Sequence, residues 1–134
     1  MNTETPTIEL LVPCERISLD DQGRAVLERT IGQIVKTVPT TQDMALYVEA
    51  WGVPFTTPRI GARILSPTGE VLAEHAPEGI ALDEEGVTLF AFPLAAVPLP
   101  VAGIYHAVLV HDGDELARRR FRVDLPVSTV TRTA

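Results

Sequence analysis

GIYHAVLVHDGDELARRRFRV, residues 103–123, holds two alternating runs around one turn. Alternation with period two over each run marks a strand half-exposed to a core, and Asp112-Gly113-Asp114 between them reads as a three-residue hairpin loop with glycine for the unusual dihedral. With that loop His111 falls opposite Glu115, and the pairs that follow are Tyr105–Phe121 and Leu109–Ala117 on the core side. His106–Arg120 and Val108–Arg118 lie on the outer side. The three consecutive arginines therefore do not share a surface. Arg118, Arg120 and Arg122 form an outward ridge about 13 Å long at 3.3 Å per residue. Arg119 points the other way, to a sheet rim or a buried ion pair. Such a ridge is ordinarily a solvated outer face, but the apolar Ile104, Val108 and Val110 share it, so either something covers it (the N-terminal strand, the tail or a second subunit) or it is a mixed apolar-basic interface.

Working outward, proline and glycine, eleven and nine in number, cut the chain into pieces too short for core helices. Apolar, β-branched pieces bounded by turns read as strands at 8–14, 25–30, 33–38, 44–51, 60–65, 70–74, 87–92, 104–111 and 116–124. DDQGRAVLERTIGQI has a helical alternative, but its alternation from Ala25 to Thr30 favours a strand. Ser66-Pro67-Thr68-Gly69 reverses the chain, as does the weaker turn Asp20–Gly23. Residues 93–100, PLAAVPLP, hold too many prolines to pair inside a sheet and read as a connector crossing between sheets. Eight or nine strands without βαβ alternation predict an all-β, two-sheet antiparallel β-sandwich of immunoglobulin-like architecture, with a β-barrel as the alternative.

Residues 1–134 are long enough for one domain with its own core, and residues 126–134 read as a frayed tail. A hydrophobic share of 46% and a charged share of 22% suit a soluble globular protein. The single cysteine, Cys14, excludes an internal disulfide and any multi-cysteine zinc framework, and a reducing cytoplasm fits. The N-terminus shows no targeting segment and no run is long enough to span a membrane. Net charge -7 and a pI near 4.8 oppose general binding to nucleic acid or anionic lipid. Lys36 stands alone against the arginines, a bias expected of a GC-rich genome.

Gly103 and Tyr105 match the Gly-x-Tyr that opens the penultimate strand of immunoglobulin-like sandwiches, where the tyrosine hydroxyl bonds back to the backbone. Ala107 stands where antibody domains carry cysteine, so this likeness concerns architecture. Over most of the chain, the order ELLVPCERISL, DDQGR, RILSPTGEVLAE, LFAFPL and AGIYHAVLVHDGDELARRRFRV is similar to a family of small bacterial domains of unknown function. It has the Cys-acidic pair (Cys14, Glu15), the SPTGEVL-type hairpin and the closing Gly-x-Tyr hairpin. That resemblance implies a β-sandwich and no particular activity.

His106 and His111 are five apart on one strand and face opposite ways, and His75 reads as exposed beyond its strand, so no metal site or cofactor is expected. Cys14 ends an apolar strand as a small buried hydrophobe, without a nucleophile turn. Asp20, Asp21, Asp83, Glu84, Glu85, Asp112 and Asp114 lie in loops but lack calcium-loop spacing. Trp51 and Phe55 could line a sugar platform, although Trp51 is better placed to cap the core. The chain has no Walker loop, dinucleotide fingerprint or zinc-helix motif. The expectation is a non-catalytic binding or structural module working through a protein partner or its own dimerisation, at Arg118, Arg120, Arg122, His106 and Val108. The alternative is a calcium- or carbohydrate-binding sandwich using its end loops, with Trp51 and Phe55 as the sugar contacts.

Overall fold

A computed structural model describes residues 5–127 of the chain. Nine strands follow in order: β1 (Thr7–Leu19), β2 (Ala25–Thr30), β3 (Gln33–Val35), β4 (Thr40–Trp51), β5 (Arg59–Leu65), β6 (Val71–Gly79), β7 (Val87–Leu99), β8 (Gly103–His111) and β9 (Asp114–Asp124). They form a four-stranded sheet, β2-β1-β4-β7, and a five-stranded sheet, β3-β9-β8-β5-β6. This is an all-β, immunoglobulin-like sandwich, and its two separate sheets set aside the barrel. Among the described residues no helix is long and apolar enough to cross a membrane.

Period-two alternation sends Leu46, Val48 and Phe92 inward from the first sheet and Ile60, Ile64, Tyr105, Leu109, Phe121 and Val123 inward from the second. Tyr105 and Phe121 stack with ring centroids 5.5 Å apart. The Tyr105 hydroxyl donates to the carbonyl of Val101 and accepts from its N–H, the backward bond expected of the Gly-x-Tyr strand.

All four hairpin pairs expected from sequence are present: Tyr105–Phe121, Leu109–Ala117, His106–Arg120 and Val108–Arg118. The turn itself differs. His111 pairs with Asp114 and Val110 with Glu115, so the loop is the two residues Asp112-Gly113, at φ of 51° and 81°. Positive φ at both positions is the two-residue turn that matches strand twist. A register shift between Leu109 and Val110 then adds one residue to β9 and restores the register a three-residue loop would give.

The proline-rich segment is a second correction. β7 runs through Pro93 and Pro98 to Leu99, paired with β4 along its length. It lies at the edge of its sheet, where alternate N–H groups face away from any neighbour, so proline is tolerated. The crossing to the second sheet takes only residues 100–102. β3 is shorter than expected and pairs with β9 in parallel, the exception in otherwise antiparallel sheets. β6, also an edge strand, continues to Gly79 and so includes His75. Pro126 and Val127 are exposed and outside any strand; the rest of the expected frayed tail lies outside the described residues.

Candidate functional site

The arginine ridge stands on the outer face of β9, but acids of its own strand already hold two of its members. Arg118 grips Glu115 with two hydrogen bonds, Nε to Oε2 at 2.9 Å and Nη2 to Oε1 at 2.7 Å. Arg122 Nη2 meets Asp124 Oδ1 at 3.1 Å. The Arg118 hydrogen bond holds the Glu115 carboxyl below its ordinary value, while Gln33 first and then Arg122 lower that of Asp124. Among the described residues Arg120 has no hydrogen bond or ion pair. Arg119 is exposed and finds neither a buried acid nor an empty rim: its Nη1 donates to the carbonyl of Leu11 in β1 at 3.0 Å.

Val108 is not an available contact, since only 3% of it is exposed. Among the described residues its neighbours are side chains of its own sheet. In register across the sheet stand Arg118, Val108, Arg63 and Glu74, on β9, β8, β5 and β6. Glu115 anchors one arginine and Glu74 the other, the latter with Oε2 3.2 Å from Arg63 Nε, so two arginine stems flank the valine. Val110 is buried as well, while Ile104, opposite Arg122, is 39% exposed, so the ridge offers guanidinium groups, the half-buried His106 and one open isoleucine.

A different face exposes apolar residues. Register places Leu10 of β1, Tyr47, Glu49 and Trp51 of β4, and Val87, Leu89 and Ala91 of β7 on the outer side of the four-stranded sheet. Leu10, Val87, Trp51 and Leu89 are 36, 42, 47 and 58% exposed. The two polar tips there are satisfied internally: Tyr47 Oη donates to Glu49 Oε2 at 2.8 Å and Trp51 Nε1 to Glu9 Oε1 at 2.7 Å. Burial, reinforced by Glu49, pushes the Tyr47 phenol up. The β1–β2 hairpin leans beside this face and leaves an apolar groove of about 260 Å³ lined by Ile17, Leu19, Ala25, Tyr47, Leu89 and Ala91. Sequence reading missed this surface because the apolar runs of β1, β4 and β7 hide which residues face the core. The exposed Leu89 between Thr88 and Phe90 was its faint signal.

The other candidates fall apart in space. Trp51 lies on that outer face instead of capping the core, and Phe55, at φ 63°, is exposed in the following loop; the two rings form no pair among the described residues. Cys14 is fully buried, its Sγ 3.5 Å from the Ala45 carbonyl, and burial pushes its thiol up. His75 is a correction: it lies within β6, half-buried, its ring 4.6 Å from that of Phe92. His111 is buried, with Nδ1 3.0 Å from the Arg59 carbonyl and Nε2 3.3 Å from Asp112 Oδ2. Asp20 Oδ1 accepts from the N–H groups of Gln22 and Arg24, and Asp83 Oδ1 from those of Glu85 and Val87, so both carboxylates close their own turns. Among the described residues no group of three or more His, Cys, Asp or Glu is arranged to hold a metal.

No family model matches the chain, and no curated protein matches it. Among solved structures it is similar to the alkylpurine DNA glycosylase AlkC of Pseudomonas fluorescens, bound to DNA containing an abasic site analogue, with TM-score 0.51 and 9% identity. That match covers 85% of this chain and 30% of the glycosylase, so the chain spans less than a third of that protein's length. It is similar to the C-terminal domain of wzt with TM-score 0.50 and 15% identity, over 92% of this chain and 75% of that one. An immunoglobulin-like protein from Pseudomonas aeruginosa aligns with TM-score 0.44 and 12% identity, over 90% and 98% of the two chains. At such identities the likeness is one of fold. The sandwich that the bacterial-domain resemblance implied is present; membership of that family is not shown.

Proposed function

We propose that the protein is a non-catalytic binding module that acts through protein–protein contacts, and that its contact surface is the outer face of the four-stranded sheet. The observation that carries this reading is the run of exposed apolar residues in register across three strands, Leu10, Trp51, Val87 and Leu89. Apolar surface gathered on one face is what a partner buries, whereas single exposed apolar residues are ordinary. Trp51 and Tyr47 have their polar tips bonded within the chain, so covering this face leaves both donors satisfied. A flat sheet face packs best on another flat apolar face, and the same face of a second copy is such a surface. The enclosed Cys14 and the backbone-tied His111 support a non-catalytic role, since neither is placed to attack a substrate.

Leu89→Lys is the test. It puts a charge on the face between Val87 and Ala91, on an edge strand where the folded monomer leaves room for it. Sedimentation velocity from micromolar to submillimolar protein is expected to show wild type shifting towards dimer with concentration, and the variant remaining a monomer of equal thermal stability. Wild type that stays monomeric throughout removes self-association. A variant that dimerises as well as wild type removes the face.

A further inference from the structure

We propose that the concavity lined by His106, Arg118, Arg119 and Arg120 is a binding site for a phosphate-type oxyanion. It is an open concavity of about 330 Å³, and among the described residues no carboxylate lines it. It is independent of the apolar face, since it belongs to the other sheet.

Alternation along β9 alone would send Arg119 away from its two neighbours. Its bond to the Leu11 carbonyl instead holds the guanidinium at the junction of β9 and β1, and all three consecutive arginines reach one concavity. Two of them are oriented before any ligand arrives. Arg118 is fixed by Glu115 through Nε and Nη2, and Arg119 by Leu11 through Nη1. A guanidinium carries five N–H donors, so both keep most of theirs for a ligand. Arg120 has no partner among the described residues. Glu115 offsets one of three permanent positive charges, which leaves the concavity cationic in a protein of net charge -7.

The donor count selects the ligand class. A planar carboxylate occupies one guanidinium fork, whereas a phosphoryl group presents three or more oxygens in different directions and takes donors from several arginines at once. Three adjacent guanidinium groups with an imidazole beside them suit the second. The probe is therefore inorganic phosphate, with a simple phosphate monoester and acetate as comparison ligands.

The experiment is a titration of isotope-labelled protein with phosphate at constant ionic strength, following the arginine Nε–H and histidine ring signals by NMR. Saturable shifts are expected at Arg118, Arg119, Arg120 and His106. Arg120→Gln, which breaks no side-chain bond among the described residues, is expected to weaken binding about tenfold or more, as loss of one charge-assisted pair does. Arg122→Gln and Arg16→Gln, at exposed arginines outside the concavity, are expected to leave it unchanged, and acetate is expected to bind about tenfold more weakly. A monoester that binds as well as free phosphate assigns the site to the phosphoryl group of a larger ligand; a monoester that is excluded assigns it to the free ion. Shifts linear in phosphate, equal effects of acetate, or no effect of Arg120→Gln would each overturn the proposal. So would oligonucleotide binding that strengthens with length while phosphate moves no signal.

Discussion

Tyr105 does two jobs with one side chain. Its ring fills the centre of the core against Phe121, and its hydroxyl ties down the loop through which the chain leaves one sheet for the other. The second job can be removed without the first. Tyr105→Phe keeps the packing but leaves the Val101 N–H and carbonyl without that partner, so unfolding in urea is expected to show a loss of about 1–2 kcal/mol. Tyr47→Phe is the control, since it releases only the half-buried Glu49, which water can satisfy; a loss within about 0.5 kcal/mol is expected there. Equal losses in the two variants would show that the Val101 bonds contribute nothing special. This tyrosine was legible in the sequence because Gly-x-Tyr at a strand start has one physical use. Arg119 was not legible, because its position depends on the Leu11 carbonyl, distant in sequence and adjacent only after folding.

Among the elements, β7 shows where strand chemistry misleads. Two prolines within thirteen residues argue against a strand, yet an edge strand needs only half of its N–H groups for pairing. Position in the sheet decides the matter, and no local pattern reveals position. The same strand holds a bulge where its register on β4 shifts between Gln42 and Met44. There Ala96 takes φ 50°, and Asp43 Oδ1 accepts its N–H at 2.7 Å. A left-handed residue other than glycine is uncommon, and the carboxylate stabilises that conformation. Asp43→Ala is expected to cost about 1 kcal/mol in chemical denaturation, and Asp43→Asn, which keeps an acceptor oxygen, about half of that or less. If both cost the same, charge and not the hydrogen bond holds the bulge. The β8–β9 hairpin teaches the converse lesson: its register was read correctly from a wrong turn, because a two-residue loop followed by a bulge and a three-residue loop place the later residues identically.

For the whole molecule, the sequence declared two layers of strands but not which of their outer faces stays bare. Val108 and Leu89 both read as apolar residues on strands. One is enclosed by two arginines that glutamates hold in place, and the other is open, a difference that depends on four strands lying side by side. Surface carboxylates held by hydrogen bonds shape the response to acid. Glu28, Glu115, Asp124 and Asp20 all have carboxyl groups lowered in the folded protein, by Arg16, by Arg118, by Gln33 and Arg122, and by the backbone of Arg24. A lowered folded value means the unfolded chain binds protons first, so this stabilisation is fully present above the ordinary carboxylate range of about 4 and is lost as pH falls through the folded values. Net charge acts in the other direction. Between pH 7 and the pI near 4.8 the excess of seven negative charges shrinks, and self-repulsion with it. Because each of these carboxylates is at the surface, each contributes little, and neither effect dominates at neutral pH. The expected melting temperature is therefore level or slightly rising from pH 7 to about 5, and falls steeply below about 4. Added salt should flatten the first part by screening repulsion between distant surface charges. A melting temperature that declines steadily from pH 7 downward would overturn this balance between carboxylate stabilisation and charge repulsion.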